Sequence, residues 1–232
     1  MSVFGGPIAP SPSKADQVYE QICAAIFAGR LKPGDRVNVD EITRDLGVSK
    51  IPVREAMQRL EARGLIVQTP YAGARVAPVS LREWRGVFLV RIELEGLAAR
   101  LAAEMMTEAE LAELRAAHAE MERLHAAGRL DLMSAQNRRF HRLIGRAAGY
   151  RSLAELVEQV LLTVARYRAV LELDPTVWRQ VLDEHAAIID ALASRDPAVA
   201  ETVAQAHVRG QYDSTLGRRL GEFEATNWTD AP

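Results

Sequence analysis

The sequence predicts a mainly α protein in which three short helices and a β-hairpin precede an all-helical bundle. Three observations lead to this fold class. Apolar residues recur at helical spacing through most of the chain, and the spacing changes to a period of two only after Gly64. Short groups of Gly, Pro and Asp separate the segments. The length of 232 residues allows one large domain or two of ordinary size.

The first 78 residues contain the three short helices and the hairpin. Apolar spacing predicts helices over residues 14–28, 40–46 and 49–63. Ser49 suits the N-cap of the third helix, because its hydroxyl can accept from an exposed backbone N–H. Beyond Gly64 apolar and polar residues alternate, and a turn at 70–73 joins two strands into a hairpin.

The rest of the sequence predicts helices with short connections, which is the pattern of an antiparallel bundle of six or seven helices. The predicted helices span residues 81–105, 107–125, 131–148, 152–172, 176–194 and 196–223. These segments divide the chain into a first domain, 14–78, and a second domain, 79–224. Residues 1–13 are interpreted as a disordered arm, and 225–232 as a frayed tail.

Charge is divided unevenly between the two predicted domains. The net charge is −2, but residues 1–78 carry 10 basic and 8 acidic side chains, whereas 79–232 carry 19 and 23. A surface that binds a polyanion is therefore expected in the first domain.

Cysteine content and apolar run lengths exclude several classes of protein. Cys23 is the one cysteine, which excludes an internal disulfide and a zinc cluster built from cysteines. No apolar run approaches the roughly 18 residues that span a bilayer. The sequence therefore predicts a cytoplasmic protein without a membrane partner.

Three helices followed by a hairpin form the order of a winged helix-turn-helix, whose third helix places its N-terminal residues in the major groove of DNA. On that helix Lys50 and Arg54 can donate to guanine acceptors or phosphate, and Arg59 is expected at the DNA backbone. On the wing, Gly73 permits a close approach to the neighbouring groove. The predicted DNA-binding residues are Arg36, Ser49, Lys50, Ile51, Arg54, Arg59, Tyr71, Gly73 and Arg75.

Three runs in this domain carry a family resemblance. They are GRLKPGDRV at 29–37, LGVSKIPVREA at 46–56 and RLEARGL at 59–65. Together they resemble the GntR family of bacterial transcription regulators, which implies a DNA-binding domain over about 15–78. Lys50 stands where that family more often has Arg, and Lys lacks the bidentate fork of Arg. The operator sequence is expected to differ accordingly.

The second domain contains all five histidines. His118 and His125 are interpreted as packed or surface residues. His141, His185 and His207 lie on three different predicted helices, each beside an apolar stripe. Spacing alone leaves two interpretations open: buried structural histidines, or three imidazoles that converge on one divalent metal such as zinc or nickel.

A second resemblance covers residues 81–222. It rests on VRIELE at 90–95, NRRFHRLI at 137–144, EHAAIIDAL at 184–192 and DPAVA at 196–200. These runs are similar to the ligand-sensing FCD domain of the FadR-type branch of GntR regulators. The resemblance implies a metal held by His141, His185 and His207 and by the residue four before the first histidine. That residue, Asn137, replaces the usual Asp, so the site would stay near +2 rather than +1 and retain metal more weakly.

The same resemblance implies a small carboxylate effector held at the metal. Arg91 is the first candidate for its carboxylate, because it resembles the family's arginine at the start of the domain. The weaker candidates are Arg138, Arg142, Arg166 and Arg168. For these four, a surface or interhelical ion pair is the alternative interpretation.

These expectations combine into one functional hypothesis. The protein is expected to be a homodimeric repressor that binds a palindromic operator and releases it when a small organic acid binds the second domain. Residues 78–80 are the expected hinge. One rival is a metal-dependent hydrolase that uses the three histidines, although Glu184 is expected to point away from the metal. A constitutive architectural DNA-binding protein is the other rival.

Overall fold

The computed structural model describes residues 12–69, 73–78, 81–168 and 175–216. It confirms a mainly α fold in which a small helix-and-wing unit is followed by an all-helical unit. The chain divides between Ala77 and Pro78 into two compact units. The expected arm, the frayed tail, Tyr71 and most of the expected hinge lie outside the described residues, apart from the last two positions of the arm.

The first unit contains three helices and three short strands. They are α1 (Lys14–Phe27), β1 (Arg36–Val37), α2 (Val39–Leu46), α3 (Lys50–Ala62), β2 (Ile66–Thr69) and β3 (Gly73–Val76). Apolar faces of α1 and α3 pack together with the strands, and Val53, Leu60 and Leu65 are fully buried between them. Ser13, assigned to the arm from sequence, is the N-cap of α1 in a reciprocal pair with Asp16.

The wing has one strand more than the sequence predicted. The sheet order is β1-β3-β2, and both pairs are antiparallel. The added strand, β1, pairs Arg36 with Arg75 and Val37 with Ala74. Its two residues are too few to show an alternation, so only the pairing to β3 identifies it as a strand.

The second unit contains six helices within the described ranges. They are α4 (Leu81–Met105), α5 (Glu108–Ala126), α6 (Leu130–Ala147), α7 (Arg151–Arg168), α8 (Pro175–Ala193) and α9 (Pro197–Leu216). α4 packs most extensively against α9 and also contacts α6, α7 and α8. Leu114, Met121, Met133 and Phe140 form the buried centre of the bundle. The faces of α6, α8 and α9 that point into the bundle are therefore packed against α4.

Polar caps explain where several of these helices begin. Thr107 and Glu110 form a capping box at α5. At α9, the Asp196 carboxylate accepts from the N–H groups of Ala198 and Val199.

Among the described helices, none combines the length and the apolar character that a membrane span requires.

Gly149 ends the α6 segment with a left-handed backbone, φ +78°, and a Cβ there would meet Met105 Cε at 2.4 Å. Gly149→Ala should lower the free energy of unfolding by about 1–2 kcal/mol, chiefly through the cost of a left-handed L-residue. Urea denaturation measures the change. Gly86→Ala is the matched control, because nothing lies within 4 Å of its Cβ and φ is ordinary. That substitution should stabilise α4 by about 0.5–1 kcal/mol; equal effects at both sites would contradict the prediction.

Candidate DNA-binding surface and metal centre

The N-terminal end of α3 is exposed. Ser49 occupies the N-cap position, as predicted, but its side chain forms no capping hydrogen bond. The first N–H groups of α3 therefore lack an acceptor from this residue, and a helix end of this kind favours a phosphate. Ile51 beside it is 70% exposed, which suits apolar contact with a thymine methyl group.

Two predicted cations lie on the same helix. Lys50 Nζ is 2.7 Å from Asp40 Oδ1, and both side chains are exposed. This hydrogen bond and the charge of Lys50 lower the pKa of Asp40. An exposed ion pair contributes only about 0–1 kcal/mol, so DNA can replace Asp40 at little cost. Arg54 is exposed and lines a groove together with Arg36 and Gly73 of the wing sheet.

The wing sheet places two cations opposite each other. Arg36 and Arg75 are paired across β1 and β3, and both are exposed. Arg75 Nη1 donates to the carbonyl of Gly34 at 2.8 Å. Like charges at directly opposite positions destabilise a strand pair, so an anion between them would be favourable.

Arg59 is the predicted DNA-binding residue whose surroundings favour a structural role. Its Nη1 donates to Asp16 Oδ1 at 2.6 Å, and its guanidinium carbon lies 4.5 Å from the Tyr19 ring centroid. The Ser13 hydroxyl and Arg59 together lower the pKa of Asp16 to about 2. These contacts tie α3 to the start of α1, and a DNA contact would have to break them.

Three histidines converge in the second unit as the spacing allowed. His141 on α6, His185 on α8 and His207 on α9 are buried, and one ring nitrogen from each lies within 4.8 Å of the others. The Nε2 atoms of His141 and His207 are 3.4 Å apart. His185 stacks on Phe140, with ring centroids 3.9 Å apart and planes 5° from parallel. Packing therefore fixes its ring before any ligand binds.

A carboxylate holds the outer nitrogen of two of these rings. Glu95 Oε2 lies 2.7 Å from His141 Nδ1, and Glu184 Oε2 lies 2.6 Å from His207 Nδ1. Because a carboxylate only accepts, each Nδ1 carries a proton, and Nε2 is the ring nitrogen that faces the cluster. Glu184 thus lies on the outer side of His207, away from the converging Nε2 atoms.

Burial and charge set the protonation of these groups. Burial lowers the pKa of His207 to about 4, although the hydrogen bond with Glu184 opposes it. The ring is therefore neutral near pH 7 and able to bind a cation. Burial raises the pKa of Glu95, but Arg91 and His141 outweigh it and hold that pKa well below its usual range. Glu95 stays ionised inside the bundle.

Asn137 lies one turn before His141 on α6 and is 3% exposed. Its Oδ1 is buried and has no hydrogen-bond partner within the described part of the chain. An unsatisfied buried acceptor costs about 1–3 kcal/mol, so this oxygen favours a cation or donor beside it. Three of the four predicted ligands, the histidines, are therefore brought together in one buried place, and Asn137 lies one helical turn before His141.

Arg91 is fully buried on α4, and two of its donors already form hydrogen bonds within the chain. Its Nε donates to Glu95, and its Nη1 donates to Gln211 Oε1 at 3.1 Å. Its Nη2 is buried without a hydrogen-bond partner among the residues described. Part of its donor capacity is thus occupied by the chain itself, and one nitrogen remains for a further acceptor.

The other arginines predicted to bind the effector lie on α6 and α7 and differ in burial. Arg138 and Arg142 on α6 are half-buried, and Arg166 on α7 is buried. The Arg142 Nε is buried without an acceptor within the described ranges. The side chain of Arg168 lies outside the described residues. Arg91 is the first candidate, because it contacts Glu95 and Gln211, which in turn contact His141 and His207.

Sequence reasoning missed three residues of this site: Glu95, Glu184 and Gln211. Both glutamates lie in runs that resemble the FCD domain, but neither was predicted to contact a histidine. The available signal was spacing, because Glu95 is four residues after Arg91 and Gln211 is four after His207, which places each pair on one helix face. The Glu184 contact depends on how α8 and α9 pack, which spacing along the chain does not reveal.

The free space beside the cluster is small. It leaves about 10 Å³ for the centres of water molecules, which is room for a single water. The lining combines Glu95, His141 and His207 with apolar residues, among them Ile144, Val157 and Ile188. A carboxylic acid enters this place only when a side chain moves.

The DNA-binding surface and the histidine cluster together define a class of protein. A winged helix-turn-helix with an exposed cationic reading helix is joined to a bundle with a buried histidine cluster, which together describe a ligand-responsive DNA-binding regulator. Residues 14–76 match the family described as "Bacterial regulatory proteins, gntR family", and residues 87–210 match the FCD domain. The chain belongs to the GntR family of transcription regulators, and it carries an FCD domain.

Similar proteins agree with this assignment. The "Probable D-xylose utilization operon transcriptional repressor" of Paenarthrobacter nicotinovorans is 32% identical over 87% of this chain and 88% of its own length. The "HTH-type transcriptional repressor RspR" of Escherichia coli is 26% identical over 86% and 88%. The solved structure of E. coli McbR/YncC matches with a TM-score of 0.80 at 24% identity, covering 89% of this chain and 98% of that one.

The family fixes the general activity. The protein is a transcription regulator and not an enzyme, because both of its domains are those of DNA-binding regulators. GntR domains bind operator DNA, and FCD domains bind small-molecule effectors. No observation on the described residues supports the hydrolase considered from sequence, since the carboxylate of Glu184 lies on the outer nitrogen of His207.

Proposed function

We propose that the protein is a repressor whose affinity for a palindromic operator falls when a small organic acid binds at a metal centre in the FCD domain. The observation that carries the proposal is the convergence of three buried imidazoles, two of which have a carboxylate on the outer nitrogen. Two similar proteins are named repressors, which favours repression over activation.

The donor set fits a divalent metal. The Nε2 atoms of His141 and His207 face each other at 3.4 Å, so both could bind one cation between them. His141, His185 and His207 would hold zinc or nickel, and the orphan Oδ1 of Asn137 would complete the set. Such an ion would act as a Lewis acid and attract an anionic effector.

Charge near the cluster offsets the missing aspartate. Asn137 brings no negative charge, but Glu95 and Glu184 place two carboxylates on the outer nitrogens. The two carboxylates make the imidazoles more basic. Each would be separated from the ion by one imidazole ring, whereas a direct ligand would touch the ion. We infer that metal is retained despite the amide, and that the effector's carboxylate is attracted more strongly than at a site with a direct Asp.

The DNA side of the proposal uses α3 and the wing. Lys50 and Arg54 would read bases or phosphates in the major groove, with Ser49 and Ile51 beside them. Arg36, Gly73 and Arg75 would contact the neighbouring backbone from the wing. Tyr71 and Arg59 remain members of the predicted set, although the ion pair with Asp16 makes Arg59 the weakest.

A homodimer would connect this surface to a two-fold operator. Two copies related by a two-fold axis present two recognition helices to the two half-sites of a palindrome. The effector can shift operator affinity only by binding one arrangement of the dimer more tightly than the other.

The test uses zinc-loaded protein and the DNA upstream of its own gene, with fluorescence anisotropy as the readout. A panel of dicarboxylates, sugar acids and hydroxy acids should contain a compound that weakens operator binding by about 5–150-fold, the usual size of allosteric coupling. His185→Ala protein should bind the operator but lose the response. Release of DNA that persists in His185→Ala, or a panel without effect on any metal-loaded sample, would contradict the proposal.

A further inference from the structure

Gln211 lies between the buried arginine and the histidine cluster. It is 2% exposed and follows His207 by one turn of α9. Its Oε1 accepts from Arg91 Nη1 at 3.1 Å, and its Nε2 lies 2.7 Å from His207 Nε2. One amide group therefore bridges the predicted carboxylate-binding residue and a predicted metal ligand.

The two ends of this amide are fixed by chemistry. Arg91 has only donors, so the oxygen must face it. The Nδ1 of His207 is held by Glu184, so Nε2 is an acceptor and the Gln211 nitrogen donates to it. The lone pair that Gln211 engages is the one with which His207 would bind a metal.

A carboxylate has the same planar shape as a terminal amide and would use the same two positions. One oxygen would accept from Arg91, and the other would face the metal beside His207. The limited space beside the cluster, about 10 Å³ for water centres, means that something must move before an acid enters. The unpartnered Nη2 of Arg91, buried among the described residues, is a second donor for the same acid.

We propose that Gln211 is an internal substitute for the effector's carboxylate, which rests on the proposed function of the cluster as a metal and acid site. Without metal, the amide donates to His207 and accepts from Arg91, which closes the site. A metal ion on the Nε2 atoms would face the positive amide hydrogens, so Gln211 must turn away or leave. Its departure frees Arg91 Nη1, and the site accepts an acid only after it has accepted a metal.

The proposal makes Gln211 a determinant of acid affinity. Gln211→Ala removes the competitor and should raise the affinities for metal and for a monocarboxylate by about tenfold each, the size of one buried hydrogen bond. Gln211→Glu places a carboxylate on the same stem. It should bind metal at least as tightly as wild type but no longer accept an added acid, because the glutamate fills the position.

Cobalt(II) is the metal probe, because its visible absorption reports the ligands around it, and acetate is the acid probe. The chain is loaded with cobalt and titrated with acetate, and circular dichroism checks the fold of each variant. Gln205→Glu is the matched control, since it adds the same charge to α9 at a side chain that pairs with Arg209. Acetate should still change the spectrum of Gln205→Glu and should leave that of Gln211→Glu unchanged.

The outcomes separate this inference from the proposed function. Cobalt binding by wild type that is absent from His185→Ala supports the metal site whatever Gln211 does. With that result in hand, equal acetate affinities in wild type, Gln211→Ala and Gln211→Glu would overturn the role of Gln211 alone. Reduced metal affinity in a folded Gln211→Ala protein would also overturn it and make Gln211 a supporting residue. No cobalt binding by wild type would overturn both.

Discussion

Replacing His185 by alanine should lower the affinity for zinc by about 100-fold. Structural zinc sites bind with about 10–16 kcal/mol shared by about four ligands, so one ligand accounts for roughly 3 kcal/mol. His185 is fully buried and converges with two other imidazoles, so its removal takes away one of three clustered donors. Competition with a chromophoric chelator measures the change.

The control is a histidine in the same bundle that does not join the cluster. The His118 ring centroid lies 6.4 Å from that of His185, and its Nε2 lies 3.0 Å from the Leu182 carbonyl. His118→Ala should keep wild-type zinc affinity, and His185→Leu, which keeps most of the volume against Phe140, should lose it as His185→Ala does. Equal zinc binding by wild type and His185→Ala would reject the metal centre.

Replacing Arg54 by alanine should weaken operator binding by about 5–150-fold, which corresponds to about 1–3 kcal/mol for a good base contact. Arg54 is exposed on α3 and lines the same groove as Arg36. If Arg54 contacts phosphate as well, the slope of log affinity against log salt should become shallower by about 1. Fluorescence anisotropy at several salt concentrations gives both quantities.

A charge-matched control distinguishes a contact from a general change of net charge. Arg151 begins α7, is 91% exposed and pairs with Glu155, so Arg151→Ala removes the same charge from the second unit. That variant should bind the operator as wild type does. An Arg54→Ala protein with unchanged affinity and slope would remove Arg54 from the DNA-binding surface.

The helices were predicted well because apolar spacing within each segment, and the Gly, Pro and Asp residues at its ends, are local properties of the sequence. The boundaries of α4 and the capping of α5 by Thr107 follow from local residues alone. The strand β1 was missed because a two-residue strand exists only through its pairing with β3. Ser49 was correctly predicted at the N-cap position, but its hydroxyl forms no bond to the helix, which the residue type alone does not reveal.

The histidine cluster shows the same division between local and long-range information. His141, His185 and His207 could be chosen from their places beside apolar stripes and from the family resemblance. The carboxylate of Glu184 could not, because its partner is 23 residues away on another helix. The contact of Arg91 with Gln211 is long-range as well, because the two residues are 120 positions apart, and spacing along the chain does not reveal it.

The facing arginines of the wing have a consequence for how the free protein responds to ions. Arg36 and Arg75 repel each other across β1 and β3, and dissolved salt screens that repulsion. Added salt should therefore strengthen this small sheet while it weakens the hold of the same two side chains on DNA. The free and operator-bound forms of the wing would then respond to ionic strength in opposite directions.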